Sequence, residues 1–282
     1  MVKTTRESKM KESTLTPAEK YKLKSQVPEV YKKGNITLIN NHFENNKQYN
    51  IPRAQLIIAD IPYNLGKNAY ASNPEWYKGG DNKNGESEKA GANFFNTDED
   101  FRVSNLFHFC SRLMKPEPKE PNQAPCMIVF CAFQQMFDVI KCAEEYGFKH
   151  YIPLQWYKNY SAQVLKANMR IVGNTEYALL FYKDKLPKFR NNGQMIFNNR
   201  PWIDDSSEAR HPTQKPTTIL KQLILALTDP EDVVIDPCCG SGSTLIAASE
   251  CGRKSFGFEI DKEFCKRDID FLEKTGIQQE LF

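Results

Sequence analysis

The sequence predicts an α/β fold in which a mostly parallel sheet is covered by helices on both faces. Short apolar runs, each the length of a buried strand, alternate along the chain with segments whose apolar residues recur at helical spacing. Two of these runs end abruptly in an acid with a proline close behind it, at Asp60 and at Asp236. The length of 282 residues and the 40% of hydrophobic residues suit one large α/β domain or two small ones.

The elements follow from these patterns in chain order. The strand patterns cover residues 36–40, 55–59, 127–131, 150–157, 176–182, 233–235 and 255–259. The helical patterns cover residues 98–114, a segment from 136 to Gly147, residues 219–227, a segment that runs to about 251, and a last one that runs to about 274. Residues 158–174 and 184–215 are predicted to be irregular. Residues 64–96 are polar and glycine-rich and are predicted to form a long loop after Asp60.

Charge and cysteine usage limit the class of protein. The net charge is only +3, but residues 1–33 carry nine Lys and Arg against four Glu. Residues 1–34 are therefore expected to be a basic N-terminal tail, either a loose surface segment or an arm that contacts DNA, before one larger domain over residues 35–282. The eight cysteines form no CxxC pair and no metal-ligand spacing, so no metal site is expected. No apolar stretch reaches the length of a membrane span, and we expect a reduced, cytoplasmic protein that binds no membrane.

The stretch from Asp60 to Tyr63 carries the first chemical signal. An acid at the carboxyl end of a buried strand is placed where open α/β sheets bind ligands. The Asp60 carboxylate accepts hydrogen bonds, and Pro62 biases Ile61 to an extended conformation that aims its carbonyl in one direction. Tyr63 adds a flat face for a planar ring. Two acceptors and a ring platform suit a nucleobase that carries an exocyclic amine.

The second signal is the glycine-rich turn of residues 236–244, between a buried strand and a helix. It lacks the lysine of a phosphate-binding P-loop and the third glycine of a dinucleotide site. Glu259 ends the next strand about 20 residues beyond the glycines, a position that suits ribose hydroxyls. A nucleoside without a bound phosphate, such as S-adenosylmethionine, fits this combination.

Three motifs together resemble those of the β group of bacterial and phage DNA amino-methyltransferases. Asp60-Ile61-Pro62-Tyr63 resembles their catalytic tetrapeptide, residues 236–242 resemble their DPFxGSG cofactor loop, and residues 211–216 match their HPTQKP segment. The order, with the catalytic motif before the cofactor loop, is that of this group, and the resemblance spans about residues 35–273. Ile61 departs from the usual first proline, and the adjacent cysteines 238 and 239 replace a bulky apolar pair.

This resemblance implies a Rossmann-like, circularly permuted methyltransferase fold with a seven-stranded sheet, and transfer of a methyl group from S-adenosylmethionine to a flipped-out base in double-stranded DNA. It implies catalytic roles for Asp60, Ile61, Pro62 and Tyr63. The cofactor residues that it implies, with their close neighbours, are Asp236, Cys238, Gly240, Ser241, Gly242, Thr244, Glu259, Thr213 and Lys215. An initial Asp favours adenine-N6 as the target. Cytosine-N4 methylation, a catalytically inert nucleic-acid-binding relative and methylation of a protein glutamine are the alternatives.

Recognition of the DNA sequence is expected from inserts at 64–96 and 184–215. The second insert is basic and rich in Asn, and Arg190 and Arg200 are its candidates for contacts with base edges. Lys158 follows a predicted strand and is a further candidate for contact with DNA. The sequence leaves open whether a cognate restriction endonuclease accompanies the protein and whether it is a monomer or a homodimer.

Overall fold

A computed structural model describes residues 27–63, 101–159, 163–166, 171–190, 198–203 and 214–275 of the chain. Its strands are β1 (Val30–Lys33), β2 (Ile36–Ile39), β3 (Leu56–Asp60), β4 (Cys126–Phe130), β5 (His150–Tyr157), β6 (Gln163–Lys166), β7 (Ile171–Gly173), β8 (Thr175–Tyr182), β9 (Asn199–Pro201), β10 (Val233–Asp236) and β11 (Lys254–Phe258). Its α-helices are α1 (Val103–Leu113), α2 (Met136–Glu145), α3 (Thr217–Leu227), α4 (Ser243–Glu250) and α5 (Lys262–Lys274). Two 3₁₀ helices cover Phe43–Gln48 and Phe133–Gln135.

The described strands form one large sheet in the order β1-β2-β11-β10-β3-β4-β8-β5-β9. The strands from β2 to β4 in this order are parallel neighbours, and β8 is antiparallel to both β4 and β5. The predicted α/β class with a mostly parallel sheet is confirmed. The sheet has nine strands rather than seven, because the short strands β1 and β9 pair along its two edges.

Helices cover both faces of the sheet, as predicted. On one face α1 and α2 bury alternate residues of the central strands, with Phe107 packed edge-on against Phe181 of β8 at 5.5 Å between ring centroids. On the other face α3 and α4 pack on the intervening residues, and Trp156 stacks on Phe130 at 5.4 Å. Burial on both faces explains why β3 and β4 read as continuous apolar runs rather than as alternating ones.

Three segments differ from the predictions made for them. Residues 158–174, predicted as loop, contain the antiparallel pair β6 and β7, which forms a separate two-stranded sheet. The insert at 184–215, predicted to be irregular, contributes β9, which pairs with β5. Residues 30–33, assigned to the tail, form β1. These strands of three or four residues are too short to show a strand pattern in the sequence. They are strands because their backbones pair with a neighbouring strand. The predicted loop at 64–96 lies outside the described residues.

The topology brings distant parts of the chain to one edge. Strands β3 and β10 are parallel neighbours, and β11 follows β10 in the sheet, so the residues at their carboxyl ends, Asp60, Asp236 and Glu259, lie along the same edge. Because β8 is antiparallel to β4, its first residues lie at this edge too. Within the described part of the chain, no helix combines the length and apolar character needed to cross a membrane.

Candidate active site

Asp60 is the last residue of β3 and lies in register with Phe130, the last residue of β4. The Ile61 amide donates to the Phe130 carbonyl at 3.2 Å, which continues the pairing one residue beyond the strand. The Nζ of Lys215 lies 2.6 Å from Oδ2 of Asp60. The other carboxylate oxygen, Oδ1, is buried and has no hydrogen-bond partner among the described residues. One oxygen of Asp60 is therefore held by a cation, and the other is an unmet acceptor.

A second buried acid, Glu176, joins this pair at the start of β8. Its Oε1 accepts a hydrogen bond from the Tyr63 hydroxyl at 2.5 Å and lies 3.2 Å from Lys215 Nζ. Its Oε2 accepts from Lys158 Nζ at 2.8 Å. Two carboxylates and two ammonium groups thus form one network with Tyr63, and their formal charges cancel.

Burial and pairing set the ionisation of this network. Burial raises the pKa of Asp60; the cation of Lys215 opposes that rise and the charge of Glu176 adds to it. Burial also acts to raise the pKa of Glu176, but Lys215 and Lys158 outweigh it and hold that pKa at about 2. Burial acts to lower the pKa of Lys215, yet the two carboxylates raise it above its usual range. Lys215 and Glu176 are consequently charged throughout the physiological range.

The turn that carries Tyr63 is anchored by a side chain from the segment after β4. Gln135 donates from Nε2 to the Pro62 carbonyl at 2.9 Å, and its Oε1 accepts from the Ala132 amide at 3.0 Å. The Tyr63 ring also lies 5.6 Å from Lys215 Nζ. With its hydroxyl held by Glu176, the ring is fixed at both its backbone and its tip.

Sequence reasoning did not find Glu176 or Gln135. An acid at the beginning of an otherwise apolar strand is a signal for Glu176, because a charge at that position needs a buried partner. Gln135 lies in a three-residue 3₁₀ helix, where nothing in the sequence distinguishes it from its neighbour Gln134.

The glycine-rich turn begins at Asp236, the last residue of β10. The Cys238 amide donates to Asp236 Oδ1 at 3.0 Å, and the Thr244 side chain also hydrogen-bonds to this carboxylate. Gly242 precedes α4 with a φ of 64°, a left-handed conformation that glycine adopts without strain. The turn is therefore folded around the Asp236 carboxylate, which is almost fully buried.

Glu259 follows β11 and fixes the other side of this turn. Its Oε2 accepts from the Gly240 amide at 2.9 Å, and its Oε1 accepts from the Asp261 amide at 2.7 Å. Asn40 donates to the Glu259 backbone carbonyl at 2.9 Å. Burial is the main reason that the pKa values of Glu259 and Asp236 are both raised to about 7.

These two acids make the turn suitable for a cationic nucleoside. Among the described residues neither Asp236 nor Glu259 forms an ion pair, although the Lys215 cation is near enough to Asp236 to lower its pKa slightly. S-adenosylmethionine offers ribose hydroxyls, an ammonium group and a sulfonium centre, which are the donors and positive charges that two such acids accept. The residues present therefore fit this cofactor.

Of the remaining cofactor candidates, Ser241 lies in the turn itself. Ser241 and Ser243 are buried with their hydroxyl oxygens 3.2 Å apart. Cys239 packs closely against Gly257, because a Cβ at position 257 would lie only 2.9 Å from the Cys239 Sγ. Thr213 lies outside the described residues. Lys215 lies at Asp60 rather than at the turn, with its Nζ 2.6 Å from Asp60 Oδ2.

Two of the three candidate DNA contacts lie at the same edge as Asp60. Lys158 pairs with Glu176, and its Nζ lies 4.5 Å from the centre of a Trp202 ring. Arg200 lies on β9 in register with Trp156 near the carboxyl end of β5. Its side chain forms no hydrogen bond or ion pair with another described residue.

Arg190 lies at the opposite end of the sheet. Its guanidinium pairs with Asp229 at 2.9 Å and donates to Gln123 Oε1 at 2.9 Å. Asp229 precedes β10 and Gln123 precedes β4, at the ends where these parallel strands begin. The structure therefore does not bring Arg190 to the edge where Asp60 and Glu259 lie.

Comparisons with known proteins bear on the family of this chain. A family model described as DNA methylase matches residues 54–270. The DNA adenine methyltransferase YhdJ of Escherichia coli (strain K12) is 28% identical over 247 residues, which cover 77% of this chain and 76% of that protein. The type II methyltransferase M2.LlaDCHI of Lactococcus lactis subsp. cremoris is 32% identical over 149 residues, which cover 48% of this chain and 55% of that protein.

Solved structures share the fold at lower identity. The M1.HpyAVI–SAM complex superposes with a TM-score of 0.59 and 23% identity, covering 84% of this chain and 100% of that one. The PvuII DNA methyltransferase (cytosine-N4-specific) superposes with a TM-score of 0.62 and 17% identity, covering 89% of this chain and 90% of that one. The fold of this chain is thus one that solved structures share.

Proposed function

Because the chain belongs to the family of N6/N4 DNA methylases, we propose that it transfers the methyl group of S-adenosylmethionine to the N6 amine of an adenine turned out of double-stranded DNA. The family match establishes a DNA methyltransferase, and the proposal adds the base, the atom and the residues. The main support for this proposal is Oδ1 of Asp60, a buried acceptor that has no hydrogen-bond partner among the described residues. Tyr63, whose ring can stack on a base, follows in the same short turn.

Asp60 and the Ile61 carbonyl act on the target amine as hydrogen-bond acceptors. The lone pair of an exocyclic amine is delocalised into the ring, so the amine is a poor nucleophile. Two acceptors that hold its hydrogens favour the localised, tetrahedral form, and the carboxylate stabilises the positive charge that develops on nitrogen. Lys215 keeps Oδ2 occupied, so Oδ1 is the oxygen that accepts from the amine.

Asp236 and Glu259 hold the methyl donor. When bound, S-adenosylmethionine supplies an electrophilic methyl group on a sulfonium centre. Glu259 accepts from the ribose hydroxyls, and the glycine turn allows the nucleoside to approach the backbone. Asp236 and Asp60 end adjacent strands, so the donor and the base meet at one edge of the sheet, and this proximity lowers the barrier.

Tyr63 supports the flipped base. Turning a base out of the duplex costs a few kcal/mol, which stacking and pocket contacts offset. The fixed Tyr63 ring is the stacking surface. Adenine is favoured because the motif begins with Asp and because YhdJ, matched over most of both chains, is named a DNA adenine methyltransferase. The cytosine-N4 enzyme shares the fold at 17% identity, so cytosine-N4 is the second candidate.

The test is methylation of unmodified duplex DNA with S-adenosylmethionine that carries an isotope-labelled methyl group. Nucleosides released from the product are separated and identified by mass spectrometry. We expect labelled N6-methyladenine; labelled N4-methylcytosine would assign the second candidate. Label in a protein extract but not in DNA would contradict both, and absence of label from either would indicate an inert relative.

Asp60→Asn is the informative variant, because the amide keeps the shape and loses the charge. We expect transfer to fall by about 100- to 1,000-fold, the usual effect of removing one electrostatic contact at a reacting centre. Asp270→Asn, on the exposed face of α5, is the matched control and retains wild-type transfer.

A further inference from the structure

Glu176 contacts three groups of the site without facing the glycine turn. It is the second residue of β8, whose antiparallel pairing with β4 places it at the edge where Asp60 ends β3. It accepts from Tyr63 and Lys158, and it shares the Lys215 ammonium group with Asp60. Burying a second carboxylate so close to Asp60 is costly unless cations and hydrogen-bond donors compensate for it. Lys215, Lys158 and Tyr63 are the partners that do so.

We propose that Glu176 is a positioning residue for methyl transfer, which orients Lys215 and Tyr63 so that Asp60 presents Oδ1, and Tyr63 its ring, to the target base. The inference rests on the proposed function and adds to it a residue outside all three sequence motifs. Glu176 acts through these neighbours and is not assigned a contact with the base itself.

The geometry explains how this positioning works. The Lys215 ammonium lies 2.6 Å from Asp60 Oδ2 and 3.2 Å from Glu176 Oε1, so it is held between the two carboxylates. Without Glu176, the Lys215 ammonium loses one of the two carboxylates that hold it and is less restrained from moving toward Oδ1, the oxygen that the amine requires. Tyr63 would also lose the carboxylate that accepts from its hydroxyl and orients its ring.

The charge of Glu176 also acts on the ionisation of Asp60. Asp60 is faced by Lys215 before α3, by Lys158 after β5 and by Glu176, with the carboxyl group of Asp236 and the thiol of Cys131 also close enough to interact. The two lysines lower the pKa of Asp60, whereas Glu176 raises it. Loss of the negative charge at 176 therefore lowers the pKa of Asp60, and the acid limb of the rate profile moves to lower pH.

Glu176 is not itself responsible for that limb. Its pKa of about 2 keeps it ionised over the whole assay range, from about pH 5 to about pH 9. A shift of the limb in a Glu176 variant therefore reports a change at a neighbouring group. The charge of Glu176 acts on the pKa of Asp60 and is not among the main causes that shift the pKa values of Asp236 and Glu259, so Asp60 is the group whose change we expect to see. A purely structural role for Glu176 would lower stability without moving the limb.

The experiment compares Glu176→Gln with Glu250→Gln in the full-length protein. Glu250 pairs with Lys221 between α3 and α4 at 2.6 Å, partly exposed and remote from the site, so its variant keeps wild-type kinetics. With S-adenosylmethionine and duplex DNA saturating, we expect kcat of Glu176→Gln to fall by about 10- to 100-fold, as for a misaligned reacting group. The KM for S-adenosylmethionine changes less than about threefold, and the acid limb moves to lower pH.

Tyr63→Phe provides a second variant, which removes one hydrogen bond and changes no charge. We expect it to lower kcat without moving the acid limb, and to have a smaller effect in the Glu176→Gln background than in the wild type, because both changes act on the same hydrogen bond. A wild-type kcat in Glu176→Gln overturns the inference. So does a lower kcat in Glu176→Gln if the acid limb does not move and the effects of Glu176→Gln and Tyr63→Phe are fully additive. Failure of the wild-type protein to methylate any DNA would instead overturn the proposed function, and this inference with it.

Discussion

Lys215 Nζ and Asp60 Oδ2 lie 2.6 Å apart although 155 residues separate them in the chain. The lysine belongs to the HPTQKP segment and the acid to the catalytic tetrapeptide, so this ion pair joins two motifs of the sequence. It holds one oxygen of the carboxylate, and the other is the acceptor that we assign to the target amine. The contact also accounts for a lysine that is buried, since its charge is matched by two acids.

Lys215→Met tests the weight of this pair in stability. The substitution leaves Asp60 and Glu176 as neighbouring buried acids without their shared cation, which typically costs about 3–5 kcal/mol. We expect the free energy of unfolding, measured by urea denaturation, to fall by that amount. Lys221→Met is the control, since its exposed pair with Glu250 is worth about 1 kcal/mol or less. Equal losses in the two variants would show that the buried pair has no special weight.

Glu259→Gln tests the cofactor site. Removal of charge-assisted hydrogen bonds to ribose weakens S-adenosylmethionine binding by about 1.5–3 kcal/mol, a loss that calorimetry resolves. The pKa of Glu259 is raised to about 7, so the carboxylate that accepts from ribose forms as the pH rises through that value. Wild-type affinity is therefore expected to increase from about pH 6 to about pH 8 and to change less in the variant, where only Asp236 still titrates. Unchanged affinity in Glu259→Gln would exclude ribose binding by this residue.

The fold and the order of its elements could be predicted largely from sequence, because buried parallel strands give apolar runs that local patterns reveal. The predicted strand of residues 150–157 is found as His150–Tyr157, and the last helix ends at Lys274 as expected. Local patterns could not show which strands would pair at the edges, so β1 and β9 were missed. The motifs indicated Asp60, Asp236 and Glu259. They gave no sign of Glu176, whose role depends on three residues brought to it by the fold.

Gly242→Ala tests whether the turn before α4 needs glycine for more than its backbone angle. Gly242 and Gly252 have φ values of 64° and 74°, so alanine costs about 1–2 kcal/mol of strain at either. At Gly242 a Cβ would also lie 3.2 Å from Asp268 Oδ2, whereas at Gly252 it would meet nothing within 4 Å. We expect both variants to lose stability in thermal unfolding, Gly242→Ala more, and only Gly242→Ala to lose affinity for S-adenosylmethionine. Equal affinities in the two variants would remove Gly242 from the cofactor site.

Arg200→Ala and Arg190→Ala test where DNA is bound. Both arginines come from the basic insert, but Arg200 lies near the carboxyl end of β5 and Arg190 pairs with Asp229 at the far end of the sheet. We expect Arg200→Ala to weaken binding of duplex DNA and Arg190→Ala to leave it unchanged, with at most a small loss of stability from its exposed ion pair.

A salt series on cognate and mismatched duplexes then identifies the kind of contact that Arg200 makes. Loss of a phosphate contact weakens both duplexes alike and lowers the salt slope by about 1, whereas loss of a base contact costs about 1–3 kcal/mol on the cognate duplex only. Arg200 lies in register with Trp156, and no acid among the described residues pairs with it. Its charge is therefore available for a phosphate contact or a base contact. If Arg190→Ala weakens binding and Arg200→Ala does not, the DNA must extend over the end of the sheet where the parallel strands begin, and the predicted approach of the duplex to Asp60 would be wrong.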